Sequence, residues 1–97
     1  MDIFLENGDY AMLVEVKTSL TTGDVDKHLD RIAKIREYLE NHGDKRILVG
    51  AVAGGIVPEK VRIYAEAKGL YVLVQSGESV TVTETPQTFK AMEWEAP

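Results

Sequence analysis

The segment 11–17 has the sequence Ala-Met-Leu-Val-Glu-Val-Lys, in which an apolar run ends in an acid and a lysine. Four consecutive apolar residues of this kind predict a buried strand. Charged side chains are costly inside a protein unless they are paired or hold a metal. Glu15 and Lys17 therefore indicate either a functional site or the solvent-facing side of a half-exposed strand, with Val14 and Val16 directed inward.

A hairpin turn signal precedes this strand. Asn7-Gly8-Asp9 separates residues 10–18 from a first strand predicted at residues 2–6. Because side chains alternate faces, a two-residue loop at positions 8 and 9 places Asp2 directly opposite Glu15. A two-residue loop one position earlier keeps the two acids on one face, whereas a three-residue loop separates them. A shared acidic site therefore requires an even register.

A helix is predicted after the second strand. Thr21 followed by Asp24 resembles a capping box. Apolar side chains then recur at helical spacing, and Gly43 provides a stop signal. The exposed side is expected to carry charged residues, among them Lys27 and Arg31. His28 and His42 are expected to be surface histidines.

The second half of the chain predicts a further helix between strands. Residues 46–53 form an apolar run typical of a strand buried on both faces, and Gly54-Gly55 is expected to end it. Pro58 is at a position suited to a helix start. Strands are predicted at 70–75 and 79–83. The resulting order is β-β-α-β-α-β-β, an α/β fold with helices packed on the sheet.

The chain is expected to be one domain with a tail. Its 97 residues form an α/β core at 1–83 and a C-terminal tail at 84–97, in which one docked helical turn is predicted around Phe89, Met92 and Trp94. Hydrophobic and charged fractions of 44% and 28% are typical of globular proteins, and no apolar run is long enough for a membrane span. The absence of cysteine excludes disulfides and thiolate metal sites and fits a cytoplasmic location.

The net charge of −5 argues against a strongly electrostatic, non-specific nucleic-acid binder. It does not argue against a nuclease, because an acidic metal site contributes negative charge that bound cations offset. Two carboxylates on neighbouring strands, Asp2 and Glu15, can bind Mg²⁺ through oxygen, and the carbonyl of Val16 can add a ligand. Such a metal activates water, and Lys17 can orient that water or stabilise charge in the transition state.

These residues resemble a known family. Asp2 together with residues 13–18 looks like the core of the PD-(D/E)xK, restriction-endonuclease-like superfamily. Residues 50–54, 58–59, 64–66 and 69–77 resemble a group of largely uncharacterised prokaryotic proteins placed in that superfamily. The resemblance extends from Asp2 to about Val82.

The resemblance implies a restriction-endonuclease-like mixed sheet flanked by helices and a nuclease that hydrolyses DNA with Mg²⁺ or Mn²⁺. The implied catalytic residues are Asp2, Glu15 and Lys17, with Asp2, Glu15 and Val16 as metal ligands. Gln75 is added because it ends a later strand, where some relatives carry a polar residue near the site. Its ordinary interpretation is a polar residue at a strand end.

The chain departs from the family pattern at its start. Met1 stands where the family has a proline, and the helix and strand that usually precede Asp2 are not present. The chain is therefore expected to correspond to the C-terminal part of a nuclease-like domain, with an open sheet edge that a second copy or another partner covers. The alternative function is a catalytically inactive nuclease-fold module that serves protein–protein interaction or dimerisation.

Overall fold

The computed structural model describes residues 2–83 and 85–96. Its elements are β1 (Asp2–Asn7), β2 (Tyr10–Ser19), α1 (Thr22–Asn41), β3 (Ile47–Ile56), α2 (Glu59–Ala67), β4 (Tyr71–Ser76) and β5 (Ser79–Val82). The predicted α/β order, β-β-α-β-α-β-β, is confirmed. The strands form one mixed sheet in the order β1-β2-β3-β4-β5, with antiparallel outer pairs and parallel inner pairs. Within the described ranges, no helix has the length and hydrophobicity to cross a membrane.

The hairpin between β1 and β2 has the register that favours an acidic site. Asn7 pairs with Tyr10, so the loop consists of Gly8 and Asp9. Gly8 has a φ of 60°, a left-handed conformation that glycine adopts without steric cost. This even register places Asp2 directly opposite Glu15.

Helix α1 begins at the predicted capping box. The Thr21 hydroxyl accepts a hydrogen bond from the Asp24 amide at 3.1 Å, and the Asp24 carboxylate accepts one from the Thr21 amide at 2.9 Å. These two bonds satisfy amides that would otherwise lack a helical partner. After α1 ends, the chain turns at Gly43, which has a φ of 79°.

Both helices pack on the same face of the sheet. Val25 and Ile32 of α1 and Val61 of α2 share one buried cluster with Leu13 and Val52 of the strands. The crossovers β2–α1–β3 and β3–α2–β4 step across the sheet in the same direction, and right-handed crossovers then place both helices on one side. The two described helices therefore cover one face of the sheet.

The opposite face carries a smaller apolar cluster built from strand residues. Val14, Ala51 and Ala53 are buried there beneath larger neighbours, Met12, Val16, Tyr71 and Leu73. The predicted burial of β3 on both faces is confirmed, because Ala51 and Val52 point to opposite faces and both are fully buried. We call this surface the helix-free face.

The predicted break of β3 at Gly54-Gly55 is wrong. The strand continues to Ile56, since Gly54 pairs with Lys17 and Ile56 pairs with Ser19. A partner strand supplies hydrogen bonds that outweigh the weak strand preference of glycine.

The predicted helical turn in the tail is also wrong. Residues 85–96 contain no helix in the structure, whereas Glu84 and Pro97 of the predicted tail lie outside the described residues. Trp94 instead exchanges two backbone hydrogen bonds with Leu48, of 2.8 and 2.9 Å. Leu48 has this edge available because β4 pairs with β3 only from Ala51 onward.

Candidate functional site

The centre of the site is the pair of carboxylates on β1 and β2. Asp2 and Glu15 are direct cross-strand partners. Glu15 is only 5% exposed, whereas Asp2 lies on the edge strand and is exposed. Opposed acids in such a position repel each other unless a cation or a proton lies between them.

Arg31 of α1 supplies a cation to both acids. Its Nη1 lies 2.7 and 2.6 Å from the two oxygens of Asp2 and 2.9 Å from Oε2 of Glu15. Charge-assisted hydrogen bonds of this length are among the stronger ones in proteins. The guanidinium therefore provides the positive counter-charge of both carboxylates.

Lys17 lies on the same face of β2 as Glu15, as the alternation of side chains requires. Its Nζ is 3.8 Å from Oε1 of Glu15 and 4.0 Å from Oδ1 of Asp24, and its side chain is 45% exposed. The ammonium group is thus held near the carboxylates while it remains accessible from solvent.

One side of α1 completes the site. Asp24 precedes Lys27 by three residues and His28 by four, and Arg31 follows them by four and by three, so these side chains lie on one side of the helix. Together with Glu15 and Lys17, these residues line a cavity of about 30 Å³. A cavity of this size can hold a water molecule. The cavity has room for one small ion or water beside the carboxylates.

His28 was predicted to be a surface histidine, and this prediction is wrong. The residue is 1% exposed, and its Nε2 lies 3.0 Å from the carbonyl oxygen of Leu13. A carbonyl can only accept, so Nε2 carries the proton and the lone pair is on Nδ1. Nδ1 has no hydrogen-bond partner in residues 2–83 and 85–96. Burial lowers the pKa of His28 below its ordinary value, which favours the neutral imidazole that metals bind.

His28 belongs with the two acids. One ring nitrogen of His28 and one carboxylate oxygen each from Asp2 and Glu15 lie within 4.8 Å of one another. The sequence contained a signal for this placement. His28 follows Val25 by three residues and precedes Ile32 by four, so it shares the apolar stripe of α1. His42, in contrast, is exposed as predicted.

The two acids titrate as a pair with opposite shifts. Burial, together with the adjacent Asp2 carboxylate, raises the pKa of Glu15. The hydrogen bond with Glu15 and the Arg31 guanidinium lower the pKa of Asp2. A proton shared by the pair therefore resides on Glu15, the more buried member.

The structure does not bring Gln75 to this group. Gln75 follows Leu73 by two residues in β4 and so lies on the helix-free face, whereas Glu15 is on the helix-covered face. Its Nε2 contacts the carbonyl oxygen of Gly77 at 3.5 Å. Val16 lies between Glu15 and Lys17 in β2, where it pairs with Ala53.

The arrangement combines three metal-ligating groups with two cationic side chains. Two carboxylates and an imidazole are suited to a divalent cation, and Lys17 and Arg31 are suited to a phosphate. Comparison with protein-family models, with curated proteins and with solved structures finds no match to this chain. The functional proposal therefore depends on the geometry of this site and on the sequence resemblance.

Proposed function

We propose that the chain is a nuclease module that hydrolyses DNA phosphodiester bonds with a divalent cation, Mg²⁺ or Mn²⁺, and that its fold is of the restriction-endonuclease-like type. The observation that carries the proposal is the alignment of Asp2 with Glu15 across the hairpin, with Lys17 on the same face. Carboxylate oxygens of Asp2 and Glu15 lie within 4.8 Å of each other. An ion with bonds of about 2.1 Å spans up to about 4.2 Å, so the two acids need to close only slightly around it.

Each residue of the site has a role that follows from its position. Asp2 and Glu15 hold the cation, and the Val16 carbonyl adds an oxygen from the same strand. When bound, the cation supplies an activated water and offsets charge on the phosphate. Lys17, half exposed and beside Glu15, donates hydrogen bonds to the phosphoryl oxygens that gain charge in the transition state.

Arg31 has a separate role in this proposal. Its guanidinium compensates the two carboxylates before a cation binds. Because its side chain is 44% exposed, the guanidinium can then turn toward solvent and bind a phosphate of the DNA backbone. The chain as a whole carries a net charge of −5, which repels DNA. Attraction for the DNA backbone therefore depends on local cationic side chains, here Arg31 and Lys17.

The test is cleavage of supercoiled and linear DNA in Mg²⁺ and in Mn²⁺. The wild type should cleave, and Glu15→Ala and Lys17→Ala should lose activity by about a hundredfold or more, as typical for loss of one transition-state contact. Glu37→Ala removes an exposed carboxylate elsewhere on α1 and should leave the rate unchanged. Equal activity in all four proteins would show a contaminating nuclease and would sink the proposal.

A second candidate function is favoured by the helix-free face. This surface exposes Ile3, Leu5, Val80 and Val82 at 38, 52, 59 and 55%. An apolar sheet face of this kind can serve as an interface. In this candidate the chain is an interaction module without cleavage activity, and Arg31 stays bound to the two acids. A concentration-dependent dimer in sedimentation experiments, together with no cleavage in the test above, would favour this candidate.

A further inference from the structure

We propose that His28 is a third metal ligand, so that Asp2, Glu15 and His28 form a carboxylate–imidazole site that selects a first-row transition cation over Mg²⁺. The inference rests on the metal centre of the proposed function, but it does not rest on the cleavage step. A site of this kind can bind its cation whether or not DNA is hydrolysed.

The buried imidazole carries the proposal. His28 is 1% exposed, and Nδ1 lacks a hydrogen-bond partner in the part of the chain that the structure describes. A buried polar atom without a partner costs stability, so its presence calls for a ligand or a water. The carboxylates of Asp2 and Glu15 have an oxygen each within 4.8 Å of a His28 ring nitrogen.

The orientation of the ring fits a metal ligand. Nε2 donates to the Leu13 carbonyl at 3.0 Å, which fixes the ring and its tautomer. Histidine ligands commonly donate their second ring N–H to a backbone carbonyl or a carboxylate in this way. Leu13 lies on β2 two residues before Glu15, so one strand holds both the acid and the group that orients the imidazole.

The donor set determines which cation is preferred. Mg²⁺ prefers oxygen ligands and keeps several waters, whereas imidazole nitrogen favours first-row transition cations. An ion with bonds of about 2.1 Å needs its ligand atoms within roughly 3 to 4.2 Å of one another, so the three groups must close slightly. Asp2 is exposed on the edge strand and is the ligand best able to move.

Cation entry requires that Arg31 leave the carboxylates. Its Nη1 contacts Asp2 at 2.6 Å and Glu15 at 2.9 Å, so it competes with the cation for the same oxygens. Arg31 is therefore a competitor of the cation within the site itself. Wild-type affinity should be limited by this competition, and the imidazole supplies a ligand that Arg31 does not occupy.

Calorimetric titration with Mn²⁺ and with Mg²⁺ tests the selectivity. The wild type should bind one Mn²⁺. The His28→Gln variant should have an affinity for Mn²⁺ at least about tenfold lower, while its affinity for Mg²⁺ should change by less than about threefold. His42→Gln removes the other histidine and should change neither affinity. Equal effects of His28→Gln on both ions, or no effect on Mn²⁺, would overturn the proposal.

A second measurement uses the wild type and so does not depend on how the variant folds. With a spin-active cadmium isotope as the probe ion, NMR should show a scalar coupling between cadmium and one ring nitrogen of His28, with His42 uncoupled. Binding of cadmium without that coupling would overturn the ligation of His28. So would the absence of cadmium binding at the two acids.

The outcomes separate this inference from the proposed function. Cation binding that is insensitive to His28→Gln, combined with cleavage of DNA, overturns the third ligand and leaves the nuclease proposal in place. Coupling to His28 without any cleavage supports the third ligand and overturns the nuclease proposal.

Discussion

Nη1 of Arg31 lies 2.9 Å from Oε2 of Glu15, and the same nitrogen contacts both oxygens of Asp2. These contacts link α1 to the edge strand β1 and to β2, and they make the guanidinium the counter-charge of the acidic pair. They also make the two candidate functions experimentally distinct. A nuclease needs Arg31 to be displaced, whereas an inactive module needs it to stay.

Replacing Arg31 by Gln should lower the stability of the metal-free protein and raise its affinity for a divalent cation. Loss of the partly exposed ion pairs should lower the free energy of unfolding by about 1 kcal/mol. A cation at about ten times its dissociation constant should raise the free energy of unfolding of this variant by about 1.4 kcal/mol. Urea denaturation with and without Mn²⁺ measures both effects.

The matched control for this experiment is Arg62→Gln. Arg62 forms a comparable pair with Glu66, at 2.6 Å, but within α2. This variant should also lose stability, yet Mn²⁺ should stabilise it no more than it stabilises the wild type. If Mn²⁺ rescues both variants equally, the cation is not binding between Asp2 and Glu15.

Replacing Lys17 by Met should reduce the turnover of DNA while metal binding is kept. The Nζ lies 3.8 Å from Glu15, so its removal takes away a positive charge that opposes cation binding. The affinity for Mn²⁺ should therefore stay the same or rise, and kcat should fall by about a hundredfold. Steady-state cleavage kinetics and calorimetry give the two quantities.

Lys27→Met distinguishes a positioned lysine from a general attraction for phosphate. Lys27 lines the same cavity and is exposed. Its loss should affect mainly KM, since it would act on DNA binding and not on the reacting phosphate. A fall in kcat of similar size in both variants would remove the special role of Lys17.

The sequence predicted the local parts of this site because they depend on neighbouring residues. The turn at Gly8-Asp9 determines the hairpin register, and the register determines that Asp2 faces Glu15. The capping box at Thr21 likewise follows from residues three apart. The order of helices and strands along the chain followed from their apolar patterns and turn signals.

The remaining parts depend on contacts between elements distant in sequence. Arg31 was assigned to the solvated side of α1, and only the packing of α1 on the sheet brings its long side chain to the carboxylates. Burial of His28 could have been inferred from its place in the apolar stripe. The Trp94–Leu48 pairing could not, because it depends on where β4 begins to pair with β3.

Replacing Glu15 by Gln should stabilise the metal-free protein near neutral pH. The pKa of Glu15 is raised above its ordinary 4.5 in the folded state, so the folded protein binds this proton more tightly than the unfolded chain does. The stability that this group contributes is present below 4.5 and is lost as pH rises through the folded pKa. The variant does not titrate there. The stability of the variant should exceed that of the wild type at about pH 7, and the two stabilities should converge at about pH 4.

Replacing Asp2 by Asn should change the stability near neutral pH in the opposite direction. The pKa of Asp2 is lowered below 3.8, so its contribution is present above that value and is lost as pH falls through the folded pKa. The variant should be less stable than the wild type at about pH 7 and converge with it in acid. Urea denaturation in a chelating buffer measures both pH profiles. Profiles of the same sign would contradict the assignment of the shared proton to Glu15.

Replacing Gly50 by Ala should displace α1 and so disturb the residues that α1 contributes to the site. An added Cβ would lie 2.5 Å from Cδ1 of Ile32 and 2.6 Å from Cδ2 of Leu70. Both side chains are fully buried and have little room to move, so overpacking should cost about 1–3 kcal/mol. Because Ile32 is on α1, the helix should be pushed away from β3, and the affinity for Mn²⁺ should fall.

Gly23→Ala is the matched control on the same helix. Its added Cβ would meet only the Thr21 hydroxyl oxygen, at an ordinary 3.7 Å. Alanine is a better helix former than glycine, so this variant should gain about 0.5–1 kcal/mol and keep its affinity for Mn²⁺. A stable Gly50→Ala protein with unchanged affinity would show that α1 does not need its close approach to β3 to position His28 and Arg31.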